Sequence, residues 1–99
     1  MKYWKIKNVF NQAAKLVIAT SPSTSVGVKL QPTQFVISAP KQTPAMDAQL
    51  RRKFITIEKD FDNDSYGFKL GVAYDESVYE AKKIELAEIK AMQYVNKSE

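Results

Sequence analysis

The sequence predicts a mainly β, α+β domain: a small antiparallel β-sandwich or barrel of five to six strands, with a short internal helix and a C-terminal helix. Three observations lead there. Short apolar runs rich in β-branched and aromatic residues recur through the first sixty positions, broken by Pro, Asn and Ser. Helical spacing of apolar residues occurs only in the middle of the chain and again near its end. A chain of 99 residues with 44% hydrophobic and 26% charged side chains supports one modest core and not two.

Tyr3-Trp4-Lys5-Ile6-Lys7 alternates apolar residues with lysine, the period of a strand with one wet face, and predicts a first strand over about 2–9. Turn-forming Asn8, Asn11 and Gln12 follow, and residues 14–19 supply a second β-rich run, so the two read as a hairpin. Residues 21–25 contain Pro22 and no apolar side chain, which makes them a surface loop. Residues 26–30 and 34–38 are two further strands, joined by Gln31-Pro32-Thr33, a connection of hairpin length. Thr43 is positioned to cap a helix that begins with Pro44 and runs to about residue 52, because a proline at the first helical position lacks only an N–H that would be unpaired there anyway. Residues 54–58 return to alternation and form a fifth strand. Residues 60–65 are a polar loop, and 66–74, with Gly67 and Gly71, are either a sixth strand or an extended arm.

Ser77 followed by Glu80 matches a capping box, so the last helix is expected from Val78 to about Val95. At about 100° per residue, Val78, Leu86, Ile89 and Met92 gather on one side of it, and Ala81, Ile84, Ala91 and Val95 on another. One apolar stripe suffices to pack a helix on a sheet. The second is either covered by loops or meets a partner, as helix-in-groove contacts require. The domain reading is therefore a β-domain over 1–76 and a helix over 77–99 that belongs to the same domain or serves as an assembly arm.

Charge is unevenly placed. Residues 1–53 hold nine Lys/Arg against Asp47 alone, whereas residues 54–99 hold six Lys and ten acids, and the whole chain carries +4. Either the halves neutralise each other within the fold, or a basic face is left for the acidic face of a neighbour or for nucleic acid.

Composition narrows the chemistry. The chain has no cysteine and no histidine, which removes thiolate nucleophiles, disulfides, cysteine-based metal sites and the commonest general base. No catalytic constellation, phosphate loop or serine elbow is present, and the expectation is a non-enzyme with no catalytic, cofactor-binding or metal-ligating residues. Asp60, Asp62 and Asp64 have the spacing of the first half of an EF-hand loop, but Ser65 stands where glycine is needed and Gly71 where the bidentate glutamate belongs, so the segment reads as a solvated acidic turn. No apolar run approaches the length of a membrane span, and the lysine-interrupted start lacks the apolar core of a secretory signal.

Two stretches resemble small structural proteins of tailed-bacteriophage virions, the minor capsid, decoration, neck and tail components. Leu30-Gln31-Pro32-Thr33-Gln34-Phe35-Val36 is similar to their "L-x-P-G-x-x-V" turn, with Thr33 in place of the glycine, and Thr43 to Ile57 is similar to a Thr-Pro, short basic helix, strand segment. The resemblance covers about a third of the chain and implies a structural role in the virion, assembled in the host cytoplasm, with other virion proteins and further copies of the chain as partners. The interaction residues expected on the last helix are Val78, Ile84, Leu86, Ile89 and Met92, with exposed strand edges as a second contact. The rival reading is a small nucleic-acid-binding β-barrel, with Tyr3 and Trp4 stacking on bases and Arg51, Arg52 and Lys53 on phosphates. A regulatory protein binding one host protein would use the same surfaces as the virion protein.

Overall fold

A computed structural model describes residues 2–97, with side chains through Ala91. It is an α+β fold in the order β1 (Tyr3–Asn8), β2 (Ala14–Ser21), β3 (Thr24–Leu30), β4 (Gln34–Ser38), α1 (Pro44–Arg51), β5 (Ile55–Phe61), α2 (Asn63–Tyr66), β6 (Tyr74–Asp75) and α3 (Glu76–Lys97). A four-stranded sheet runs β5-β1-β4-β6, and β2 and β3 form a separate two-stranded sheet. All strand pairs are antiparallel.

The period-two pattern of β1 sends side chains to two different cores. Ile6 joins Val36, Ile55, the hairpin residues Leu16, Ile18, Val28 and Leu30, and Met46 of α1 in an aliphatic cluster. Each such buried side chain stabilises the fold by about 1.5–3 kcal/mol relative to exposure. On the opposite face, Phe35, Ile37, Phe61 and Phe68 form an aromatic cluster with Tyr3, Tyr66, Tyr74 and Tyr79 packed around it. The first face is covered by the β2–β3 hairpin and α1, the second by the segment from α2 to β6 and the first turns of α3.

Two expected hairpins are not formed. β1 pairs with β4 and β5 and not with β2, because Asn8 ends the strand and pins a crossover to the other sheet. Its amide donates to the carbonyls of Gln12 and Leu30 at 2.8 and 2.9 Å, while its oxygen accepts from the Phe10 N–H at 2.8 Å. Likewise β3 pairs with β2, and β4 with β1 and β6, so the turn between β3 and β4 is a corner from one sheet to the other. Each of β1 to β4 is apolar enough to belong to either layer, and burial in two sheets decides the pairing. The real hairpin is β2–β3, whose strands extend into the expected 21–25 loop, leaving Pro22 and Ser23 as the turn.

Thr43 caps α1 as its sequence implies: its hydroxyl accepts from the Met46 N–H and donates to the Val17 carbonyl at 2.6 Å, tying the helix to the outer side of β2. β5 continues through Asp60 and Phe61, and α2 occupies most of the remaining polar loop. Residues 66–74 are neither a full strand nor an arm. They cross the aromatic face, with Phe68 buried, a single bridge from Leu70 to Ile37, and strand geometry only at Tyr74 and Asp75. Asn63 holds this segment by donating to the Phe68 carbonyl and accepting from its N–H. Gly71 is required there: its φ is +78°, and an added Cβ would lie 3.0 Å from Val26 and 3.3 Å from Thr20.

The last helix starts two residues before its expected first residue. Asp75, not Ser77, does the capping: its carboxylate accepts from the Ser77 N–H at 3.0 Å and the Ser77 hydroxyl at 2.5 Å. An acidic side chain there also suits the positive end of the helix dipole.

Candidate functional site

Among the described residues the largest feature that projects from the body is α3. Its 22 residues correspond to about 33 Å of helix. The molecule measures 53 × 31 × 19 Å, and its radius of gyration of 15.2 Å exceeds the roughly 13 Å of a compact chain of this length. The helix touches the body chiefly at its root, where Tyr79 lies against Phe35, Phe61 and Tyr66. Beyond that root Ile84 and Ile89 are 59% and 43% exposed and Leu86 is half-buried, while Val78, within the root's first turn, is 43% exposed. Of the five residues expected to make the contact, these four project on α3, while the Met92 side chain lies outside the described residues.

The root itself is tightly built. The Thr33 carbonyl accepts the Glu76 N–H at 2.8 Å, and the Thr33 hydroxyl donates to Asp75 at 3.1 Å. Thr33 has φ +68°, the left-handed region that a branched residue enters at a cost of about 1–3 kcal/mol. With Pro32 before it and the Gln34 N–H bonded to the Gln31 carbonyl at 3.0 Å, Thr33 stands where a type II turn favours glycine. Beneath the root Lys5 is only 8% exposed. Its ammonium donates to both Glu76 carboxylate oxygens at 3.2 and 3.3 Å and lies 4.0 Å from the Tyr79 ring centre. Lys7 adds a second cation 3.8 Å from the same carboxylate. This buried lysine was not recognisable in the sequence, where it stands on the expected wet face of β1; only the lack of any other use for the strand's second face signals it.

Electrostatics follow from these contacts. Hydrogen bonds from Ser77, then from Thr33, hold the Asp75 carboxyl below its ordinary pKa. Burial, and after it the adjacent Tyr66 hydroxyl, pushes the Tyr79 phenol well above its usual value.

The other candidate residues are dispersed. Tyr3 and Trp4 are consecutive on β1 and point to opposite faces, Tyr3 against the aromatic cluster and Trp4 against the aliphatic one. They cannot share one stacking platform, and Lys59 already lies 5.1 Å from the Trp4 ring centre. Arg51, Arg52 and Lys53 are all exposed at the end of α1. Asp60 pairs with Lys2 at 3.9 Å and Asp62 accepts from Ser65, and no group of three acidic side chains suited to a metal ion occurs among the described residues.

Strand edges are unequally open. The outer side of β2 is tied to α1, and β6 covers the start of β4, whereas β5 and β3 carry a strand on one side only. β5 bears exposed Glu58, Lys59 and Asp60 and ends in an irregular register, features that oppose edge-to-edge pairing. A cleft of about 610 Å³ opens between the β2–β3 turn and the exit of β4, lined by Pro22, Ala39, Pro40 and Leu70, with Tyr3 and Lys41 as its titratable groups. Lys41 donates to the Pro22 carbonyl at 3.4 Å. Comparison with family models, curated proteins and solved structures finds no match to this chain.

Proposed function

We propose that this chain is a non-enzymatic assembly protein of a phage-like virion that holds neighbouring subunits with α3. The projecting helix carries the reading. A helix of this length that touches its own domain chiefly at the root, yet exposes Ile84 and Ile89 beyond it, gains its apolar burial from another chain. The root supports the same reading, because a left-handed Thr33, a capping Asp75 and the Lys5–Glu76 pair fix the direction in which the helix leaves the body. The virion setting rests on the resemblance of the Leu30–Val36 and Thr43–Ile57 stretches.

The test is the mass of the purified chain in solution, measured by light scattering behind a sizing column. The expected result is a discrete oligomer that becomes monomeric in Ile84→Asp/Ile89→Asp. Both side chains are exposed, so folding of the body should be unaffected, as circular dichroism would verify. A chain that stays monomeric at every concentration, or an oligomer unchanged by the double substitution, overturns the assignment of the helix.

A further inference from the structure

The outer face of the β2–β3 hairpin keeps two features that work against stability, and the neighbouring end of α1 keeps a third. Lys15 and Lys29 stand directly opposite each other in the ladder, both exposed, and like charges in that position repel. Gly27 sits beside them in mid-strand opposite Val17. Its φ is ordinary and an added Cβ would approach nothing nearer than the Leu16 carbonyl at 4.0 Å, so neither backbone geometry nor packing asks for glycine. A glycine there weakens the strand and leaves the backbone open to close approach. The result is a shallow groove of about 330 Å³ with Gly27 on its floor and Lys15 and Lys29 beside it.

The third feature lies where the row of cations continues. The Gln49 amide donates to the Lys15 carbonyl at 3.0 Å, which places the end of α1 against the hairpin. There the Lys53 N–H bonds to Leu50 and the Phe54 N–H to Gln49, closing a Schellman motif with Lys53 at its left-handed position, φ +62°, where glycine is favoured. Arg51 and Arg52 precede it, both exposed.

Glycine thus stands where a side chain would fit, and lysine where glycine would. A ligand that needs an open floor and positive charge accounts for both. Among the described residues no ion pair reaches Lys15, Lys29, Arg51, Arg52 or Lys53, whereas Asp60 and Glu76 hold lysines, and Asp62 and Asp75 hold hydroxyls, within the fold. Within one copy of the chain, the described ion pairs therefore leave this row open to an outside anion. Repeated cations along a groove fit a repeated anion.

We infer that the Gly27 groove, flanked by Lys15 and Lys29 and continued by Arg51, Arg52 and Lys53, binds the phosphate backbone of a nucleic-acid strand. Contacts of this type position the strand without reading its bases. The surface is independent of α3, so the two readings stand or fall separately.

Fluorescence anisotropy with labelled single-stranded and duplex oligonucleotides, at about 50 and 200 mM salt, tests it. Binding should weaken steeply with salt. Lys15→Gln/Lys29→Gln should lower affinity about tenfold and reduce the salt slope by roughly two, one for each phosphate that a lysine no longer neutralises. Lys82→Gln/Lys83→Gln, which removes the same charge from α3, should leave binding intact. Gly27→Thr should raise the thermal midpoint while weakening binding, a combination that a merely structural role does not produce. The inference fails if no oligonucleotide binds at the lower salt, or if the two lysine pairs have equal effects. It also fails if Gly27→Thr binds as tightly as the native chain, or if polyglutamate competes as well as the unlabelled oligonucleotide, which would mark an acidic protein as the ligand.

Discussion

The two faces of the four-stranded sheet are built from opposite materials. One is aliphatic and covered by regular elements, a hairpin and a capped helix. The other is aromatic, covered by an irregular segment and by the root of α3, with a lysine buried under it. Aliphatic side chains with few rotamers fill space between flat layers. Aromatic rings with polar edges tolerate the backbone of a loop and the ammonium of Lys5 beside them. The first face mainly stabilises the body, while the second couples the body to the direction of the helix. A molecule that only needed to fold could have covered the second face as it covers the first.

Breaking the aliphatic face should have the largest effect. Ile6→Ala removes a fully buried side chain at the centre of that cluster and should cost about 2–5 kcal/mol in urea unfolding, a large part of the total stability of a domain this small. Breaking the aromatic face at Glu76 should cost less and act elsewhere. Glu76→Gln leaves the Lys5 ammonium without its charge partner, at a cost of about 2–3 kcal/mol given the partial exposure of the carboxylate. Hydrogen exchange should then speed up in the first turns of α3 before it does in β2 or β3.

Two smaller changes sharpen the comparison at the junction. Thr33→Gly relieves the left-handed strain but gives up the hydroxyl bond to Asp75, so the body should gain up to about 1 kcal/mol while the first turn of α3 exchanges faster. Acid should act on the same turn. The folded Asp75 pKa is depressed, so its contribution is complete above the unfolded value near 4 and is lost as pH falls through the lower folded value. Asp75→Asn should abolish that acid-dependent loss in a pH series of helix signal by circular dichroism, leaving the losses of other carboxylates in place.

Much of the fold is legible residue by residue. Thr43-Pro44 announces a helix start because a hydroxyl cap and a proline without an N–H are both local solutions to unpaired donors. The alternation of Tyr3 to Lys7 announces a strand, though not that its lysine face would be buried. That required Glu76, 71 positions away, to bring a carboxylate and Tyr79 to bring a ring. The projecting residues Ile89 and Ile84 were visible on two different apolar sides of the last helix, of which one sheet can cover only one. The Gly27 groove was not visible, because Lys15 and Lys29 become neighbours only through the β2–β3 register and the row beyond them only through the bond from Gln49.

Local physics, acting within a few residues, thus determined from the sequence alone the α+β class, its short strands, the capped helix at 44–51 and an amphipathic final helix with more apolar surface than one packing face needs. Pairing partners, the crossing of the chain between sheets at Asn8 and Thr33, the burial of Lys5 and the assembly of the basic row were decided only in three dimensions. Each depends on which of several equally apolar strands shares a layer, and that choice minimises exposed apolar surface over the whole chain rather than within any one segment.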